Sequence, residues 1–151
     1  MKKKMGIVII SILCCMVGVT AFFMTRKKKI DYMKMVDEEC GFSISQYLDF
    51  EKASYKNEDV YEIQFTVKKE YKLDVEHMLA SRYNDKLKEG VSPRTRNQSI
   101  NNIIESGEVK HLYSFFREGK VRDSSGARVL SIEVKFCIVD VGGKQYLLIY
   151  T

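Results

Sequence analysis

Hydrophobic and polar positions divide the chain into two unlike parts. Met5 to Thr25 carries no charge and is clamped between Lys2, Lys3 and Lys4 on one side and Arg26, Lys27, Lys28 and Lys29 on the other. At about 1.5 Å per residue, a helix over the 19 residues from Gly6 to Met24 nearly spans a hydrocarbon core of about 30 Å. The pattern predicts a basic flank and transmembrane helix over residues 1–29, with a span of about 6–25. Ile30, Met33, Val36 and Cys40 then recur at helical spacing, and Gly41 suits a left-handed closing residue. A helical extension over 30–41 is therefore expected.

Residues 42–151 read as one α+β domain, an antiparallel sheet covered by helices. Phe42, Ile44, Leu48 and Phe50 alternate with mostly polar residues and predict a strand, although Ile44, Tyr47 and Leu48 also suit a helical turn. Tyr61, Ile63, Phe65 and Val67 alternate with Glu62, Gln64, Thr66 and Lys68, the period of a strand with one buried face. Asp74 is placed to cap a helix whose apolar stripe is Val75, Met78, Leu79, Tyr83 and Leu87, with Gly90 at its end. Ile100, Ile103 and Ile104 predict a short second helix ending near Gly107. Val109 to Arg117 fits either period and is assigned to a strand because the following residues read as sheet. Leu130, Ile132, Val134, Phe136 and Ile138 alternate, and Gly142-Gly143 makes a two-residue hairpin turn into Gln145 to Tyr150. Strand, strand, helix, helix and three strands is an α+β order.

Competing readings of the N-terminal run are weaker. Val19-Thr20-Ala21 has the small residues of a signal cleavage site. The apolar stretch is longer than an export signal needs, however, and cleavage would leave Phe22, Phe23 and Met24 directly before four cations. Cys14-Cys15 suggests lipid attachment, but Leu13 precedes the pair and apolar residues continue past it, which fits a membrane interior. Ser11, Cys14, Gly18 and Ala21 fall on one face of the helix, where small residues allow close helix packing in lipid. Self-association of the span is a possible consequence.

Charge changes meaning once the anchor is set aside. The chain has 25 Lys and Arg against 20 Asp and Glu, but seven cations and no acid lie in residues 1–29. Residues 30–151 thus hold 18 basic and 20 acidic groups, a net charge of −2. Nucleic-acid binding requires clustered cations to displace counterions from phosphates, so no nucleic-acid partner is expected. Arg82, Lys86, Lys88, Arg94 and Arg96 form the densest local group, interrupted by Asp85 and Glu89, and read as a solvated face. The two flanks of the span disagree on orientation. Arg26 to Lys29 resist translocation, whereas a Lys-rich start before an apolar run is how export signals begin. The Lys-rich, export-like start is expected to prevail and to place the domain outside the cytoplasm.

Candidate chemistry is sparse. His77 and His111 lack a nucleophile at a recognisable spacing, Cys40 and Cys137 stand beside no ligand pattern, and Asp123-Ser124-Ser125-Gly126 reads as a loop. There is no CxxC, HxxxH or calcium-loop spacing. Asp37-Glu38-Glu39 reads as a solvated helix face, and Asn97-Gln98-Ser99 matches the glycosylation acceptor pattern. If the domain is outside, Cys40 and Cys137 are candidates for a disulfide. No catalytic, cofactor-binding or metal-binding residue is assigned, and no cofactor is expected. The function expected is a single-pass membrane-anchored, non-catalytic binding or assembly module at the membrane surface. Its partners are the lipid bilayer and an unidentified protein. The alternative is a membrane-associated inhibitor or immunity-type protein with a cytoplasmic domain.

Overall fold

The computed structural model describes residues 31–57, 60–123 and 126–151. The predicted span over 6–25, its flanks Lys2, Lys3, Lys4, Arg26, Lys27, Lys28 and Lys29, and the small-residue face Ser11, Cys14, Gly18 and Ala21 all lie outside the described residues. Among those described, no helix is long and apolar enough to cross a membrane.

The domain is α+β. Helix α1 occupies residues 31–40, followed by strands β1 (Leu48–Asn57) and β2 (Val60–Val67). Helices α2 (Lys72–Ala80) and α3 (Gln98–Ser106) come next, then strands β3 (Glu108–Asp123), β4 (Gly126–Val141) and β5 (Lys144–Tyr150). All pairings are antiparallel, in the order β1-β2-β5-β4-β3. Gly142 and Gly143 turn β4 into β5 with φ of 58° and 85°, the left-handed pair that a two-residue hairpin demands.

Period two in β2 puts Tyr61, Ile63, Phe65 and Val67 on one face and polar residues on the other, while the sheet as a whole carries a core on each side. Tyr61, Ile63, Phe65 and Val67 join Phe136, Ile138, Leu147 and Ile149 beneath Val36 and Cys40 of α1 and Val75 and Leu79 of α2. On the opposite face Ile100 and Ile104 of α3 close over Leu112, Cys137, Val139, Leu148 and Tyr150. The sheet is thus sandwiched between helices. Strand β5, in the middle, is buried on both sides and reads as an unbroken apolar run, Tyr146 to Tyr150, instead of an alternating one.

Three local expectations are corrected. The strand expected at 42–50 begins only at Leu48, because the Asp37 carboxylate accepts from the backbone N–H of Ile44 (2.8 Å) and Ser45 (2.7 Å) and from the Ser45 hydroxyl. Those bonds hold Ser45–Tyr47 in a 3-10 turn. The helix expected to run from Asp74 to Gly90 starts at Lys72 and ends at Ala80. Tyr83 and Leu87 are not on it, and Asp74 sits within its first turn, where its charge suits the helix dipole. Lys86–Glu89 forms a separate 3-10 turn, which Gly90 closes at φ 80°. Strands β3 and β4 run on to Asp123 and from Gly126, so the interstrand loop is shorter than the sequence suggests.

Candidate ligand-binding cleft

Outward-facing residues of β1 and β2 meet the start of α3 to form a cleft whose walls carry polar and charged groups on largely apolar stems. Lys52 stands opposite Gln64 across the two strands, and Ser54 opposite Glu62. These four point away from the inner core because Ala53, Ile63 and Phe65 take the alternate positions against it. Asn97 caps α3 by accepting from the Ser99 N–H at 2.7 Å. Its side-chain Nδ2 donates to Glu62 Oε2, and the Thr95 hydroxyl donates to Glu62 Oε1 at 3.4 Å. Asn101 fixes the approach to the helix, taking the Thr95 N–H at 3.0 Å and returning a bond to the Thr95 carbonyl at 2.7 Å. Lys52 Nζ donates to Ser99 Oγ on the opposite wall.

The cleft is an open depression of about 110 Å³ lined by Lys52, Ser54, Glu62, Gln64, Asn97 and Ser99, with Ala53 and Ile100 adding apolar surface. Lys52 and Glu62 are held apart, each bonded to α3 or the segment leading into it. Gln64 Oε1 is buried and has no partner among the described residues. A buried carbonyl left unpaired costs about 1–3 kcal/mol. A ligand that donates to it would recover that cost.

The sequence-selected residues are distributed differently. Asn97-Gln98-Ser99, the glycosylation pattern, is the cap of α3, with its amide already committed to Glu62 and Ser99. Of the acidic run, Glu38 does lie on a solvated face, paired with Lys34 at 3.2 Å. Asp37 holds the turn before β1, and Glu39 accepts from the Tyr61 hydroxyl at 2.7 Å and faces Arg117 Nε at 3.2 Å. The basic group is dispersed: Arg82 donates to the Gly41 carbonyl, Lys86 pairs with Glu89 at 2.9 Å and Arg94 with Glu105 at 3.3 Å.

His111 Nδ1 lies 2.7 Å from Asp85 Oδ2, a pairing that sequence spacing gives no hint of. Asp85 Oδ1 accepts from Leu87 and Leu112 N–H, both at 3.1 Å. Burial alone would push the Asp85 carboxyl up. The His111 bond and the two backbone donors outweigh it and hold the carboxyl below its usual range. Tyr113 stacks on His111 at 5.7 Å, and its hydroxyl, pushed up to about 12 by burial, is enclosed in the inner core. This carboxylate plugs the edge of β3, and the histidine it orients touches no nucleophilic side chain among the contacts described.

Cys40 belongs to the inner core and Cys137 to the outer one, on opposite faces of the sheet, and both are free thiols. A disulfide between them is excluded by that placement. Burial pushes each thiol up to about 12, far from the thiolate that nucleophilic chemistry needs. Among the described residues no group of three His, Cys, Asp or Glu is placed to hold a metal ion. Compared with protein-family models, curated proteins and solved structures, the chain matches none.

Proposed function

We propose that the protein is a single-pass membrane-anchored binding module, with the α+β domain carrying a ligand site and performing no catalysis. The observation that carries the binding half is the cleft over β1 and β2, where opposite charges are held apart around a buried, unpartnered carbonyl oxygen. The anchoring half rests on the uncharged run Met5 to Thr25 between its two basic collars. Against catalysis stand the thiols, raised by burial, and the one oriented histidine, whose carboxylate partner is engaged with the β3 backbone. The bilayer is the first partner of this reading. The domain faces the extracytoplasmic side, where a site for small polar solutes meets the surroundings of the cell.

Two measurements test it. Leu73, 68 % exposed, replaced by Cys gives a labelling site on the domain surface, while native Cys40 and Cys137 are buried. Impermeant maleimide is expected to label Leu73→Cys in intact cells, and the chain is expected to stay in the membrane pellet after alkaline carbonate washing. Release into the wash removes the anchor; labelling only after lysis reverses the orientation. For the site, a thermal-shift screen of small polar compounds on the full chain in detergent should yield stabilisation that Glu62→Gln abolishes. If no compound stabilises the wild type through this residue, the cleft is not a binding site.

A further inference from the structure

Resting on that binding reading, the geometry points to a small zwitterion of the α-amino acid class as the ligand of the cleft. Its floor carries one cation and one anion, Lys52 and Glu62, placed diagonally because Lys52 pairs with Gln64 and Glu62 lies two residues before Gln64 on the same face. Diagonal neighbours on an antiparallel pair stand about 7–8 Å apart. An α-amino acid with a hydrogen bond of about 2.8 Å at each charged end spans about 8–9 Å, which the flexible Lys52 stem accommodates. A lone anion would meet the Glu62 carboxylate, and a lone cation would meet Lys52. A molecule carrying both charges satisfies both walls.

The hydrogen-bonding capacity matches in kind. Lys52 keeps two further protons beyond the one given to Ser99, and the Ser99 hydroxyl, accepting from Lys52, retains its own proton to donate. Both suit a carboxylate, and the positive end of the nine-residue helix α3 adds to them. On the other side an ammonium group has three protons for two kinds of acceptor. Glu62 has lone pairs beyond those taken by Asn97 and Thr95, and Gln64 Oε1 is buried and unpaired. A volume of about 110 Å³ equals three or four waters at about 30 Å³ each, room for about five or six heavy atoms. Ile100, 3 % exposed, offers an apolar contact for a methyl-sized side chain. Glycine and alanine fit this description, and larger amino acids must project out of the cleft.

Calorimetric titration of the full chain in detergent with L-alanine, acetate, methylamine and acetamide tests the class. L-Alanine is expected to bind at least about tenfold more tightly than any of the three single-function controls, a margin that one extra charged hydrogen bond supplies. Lys52→Met and Glu62→Gln should each weaken L-alanine by about tenfold or more with the far-ultraviolet circular dichroism unchanged. Gln64→Met, which removes the unpaired acceptor at similar volume, should weaken L-alanine while raising the melting temperature of the ligand-free protein. Acetate binding as tightly as L-alanine would make this an anion site and overturn the inference, as would L-alanine affinity untouched by Lys52→Met. If other compounds stabilise the protein through Glu62 and no amino acid does, the ligand class fails and the binding module stands. If nothing binds, both fail.

Discussion

Gly107 ends α3 with its Cα pressed onto the sheet. A Cβ added there would stand 2.6 Å from the Asp140 carbonyl oxygen and 2.7 Å from Val139 Cγ1 and Val141 Cγ2. Two of those neighbours are side chains of the strand beneath and the third is backbone, so relief requires α3 to lift. Gly107→Ala is expected to lower stability by about 1–3 kcal/mol in urea denaturation. Gly90 provides the contrast: nothing lies within 4 Å of its Cβ position, but its φ is +80°, so Gly90→Ala costs about 1 kcal/mol from backbone strain alone. Equal losses would mean that the sheet absorbs the Gly107 methyl freely. Asp85 carries the pH dependence at this scale. Its folded pKa lies below the ordinary 3.8, so the stabilisation is complete above that value and is lost as pH falls through the depressed one. Asp85→Asn keeps the shape without the charge. Comparing urea midpoints at pH 7 and pH 3, the wild type should lose more stability than Asp85→Asn, and parallel losses would show that other carboxylates carry the acid sensitivity.

At the scale of elements, what the sequence pattern reveals follows from where each element gets its partners. Strand β2 is written in strict alternation because only one of its faces lies on a core, β4 alternates until Phe136 to Val139 are buried on both faces, and the turn into β5 is written in its two glycines. The start of β1 and the end of α2 are not, because each is set by a carboxylate distant in sequence from the group it binds. Asp37, seven residues before Ile44, draws the chain into a 3-10 turn where alternation alone predicts a strand. Asp85 is taken up by Leu112, 27 residues on, so the stripe through Tyr83 and Leu87 belongs to two short segments instead of one helix. The cleft is illegible for a related reason: Glu62 and Gln64 are the polar positions of an alternating strand, Lys52 lies beyond the strand expected at 42–50, and only α3 laid across them makes a site. The one sequence signal is Asn97, which suits a helix cap as well as it suits a glycosylation acceptor. The Asp37 clamp predicts its own cost. Asp37→Ala leaves two backbone N–H groups without their charged acceptor and should lower stability by about 1.5–3 kcal/mol, read by thermal unfolding. A change within experimental error would mean that water replaces the carboxylate there.

For the whole molecule, one sheet holding two cores has a kinetic consequence. The inner core is sealed by two helices and by the aromatic contacts of Tyr83, Phe115 and Phe136, with ring centroids 5.4 to 5.7 Å apart. The outer core is covered by a single α-helix, the nine-residue α3, through two buried isoleucines, with Leu87 and Val91 packed only partly buried beside it. Local opening proceeds where the least apolar surface must be exposed, so α3 should detach in events that leave the rest of the domain folded. Cys40 and Cys137 report on the two sides, because each is fully buried and each thiol is pushed up to about 12 while it remains so. In low urea at pH 8, a maleimide reagent followed by peptide mapping is expected to modify Cys137 before Cys40, with mapping separating both from Cys14 and Cys15. Ile104→Ala, which thins the α3 seal, should speed Cys137 modification and leave Cys40 unchanged at equal global stability. A single shared rate for the two thiols, unaffected by Ile104→Ala, would show that the two layers open only together. Because Asn97 and Ser99 of the cleft sit at the N-terminus of that same helix, a ligand bridging α3 to β2 should slow Cys137 modification without touching the thiol itself.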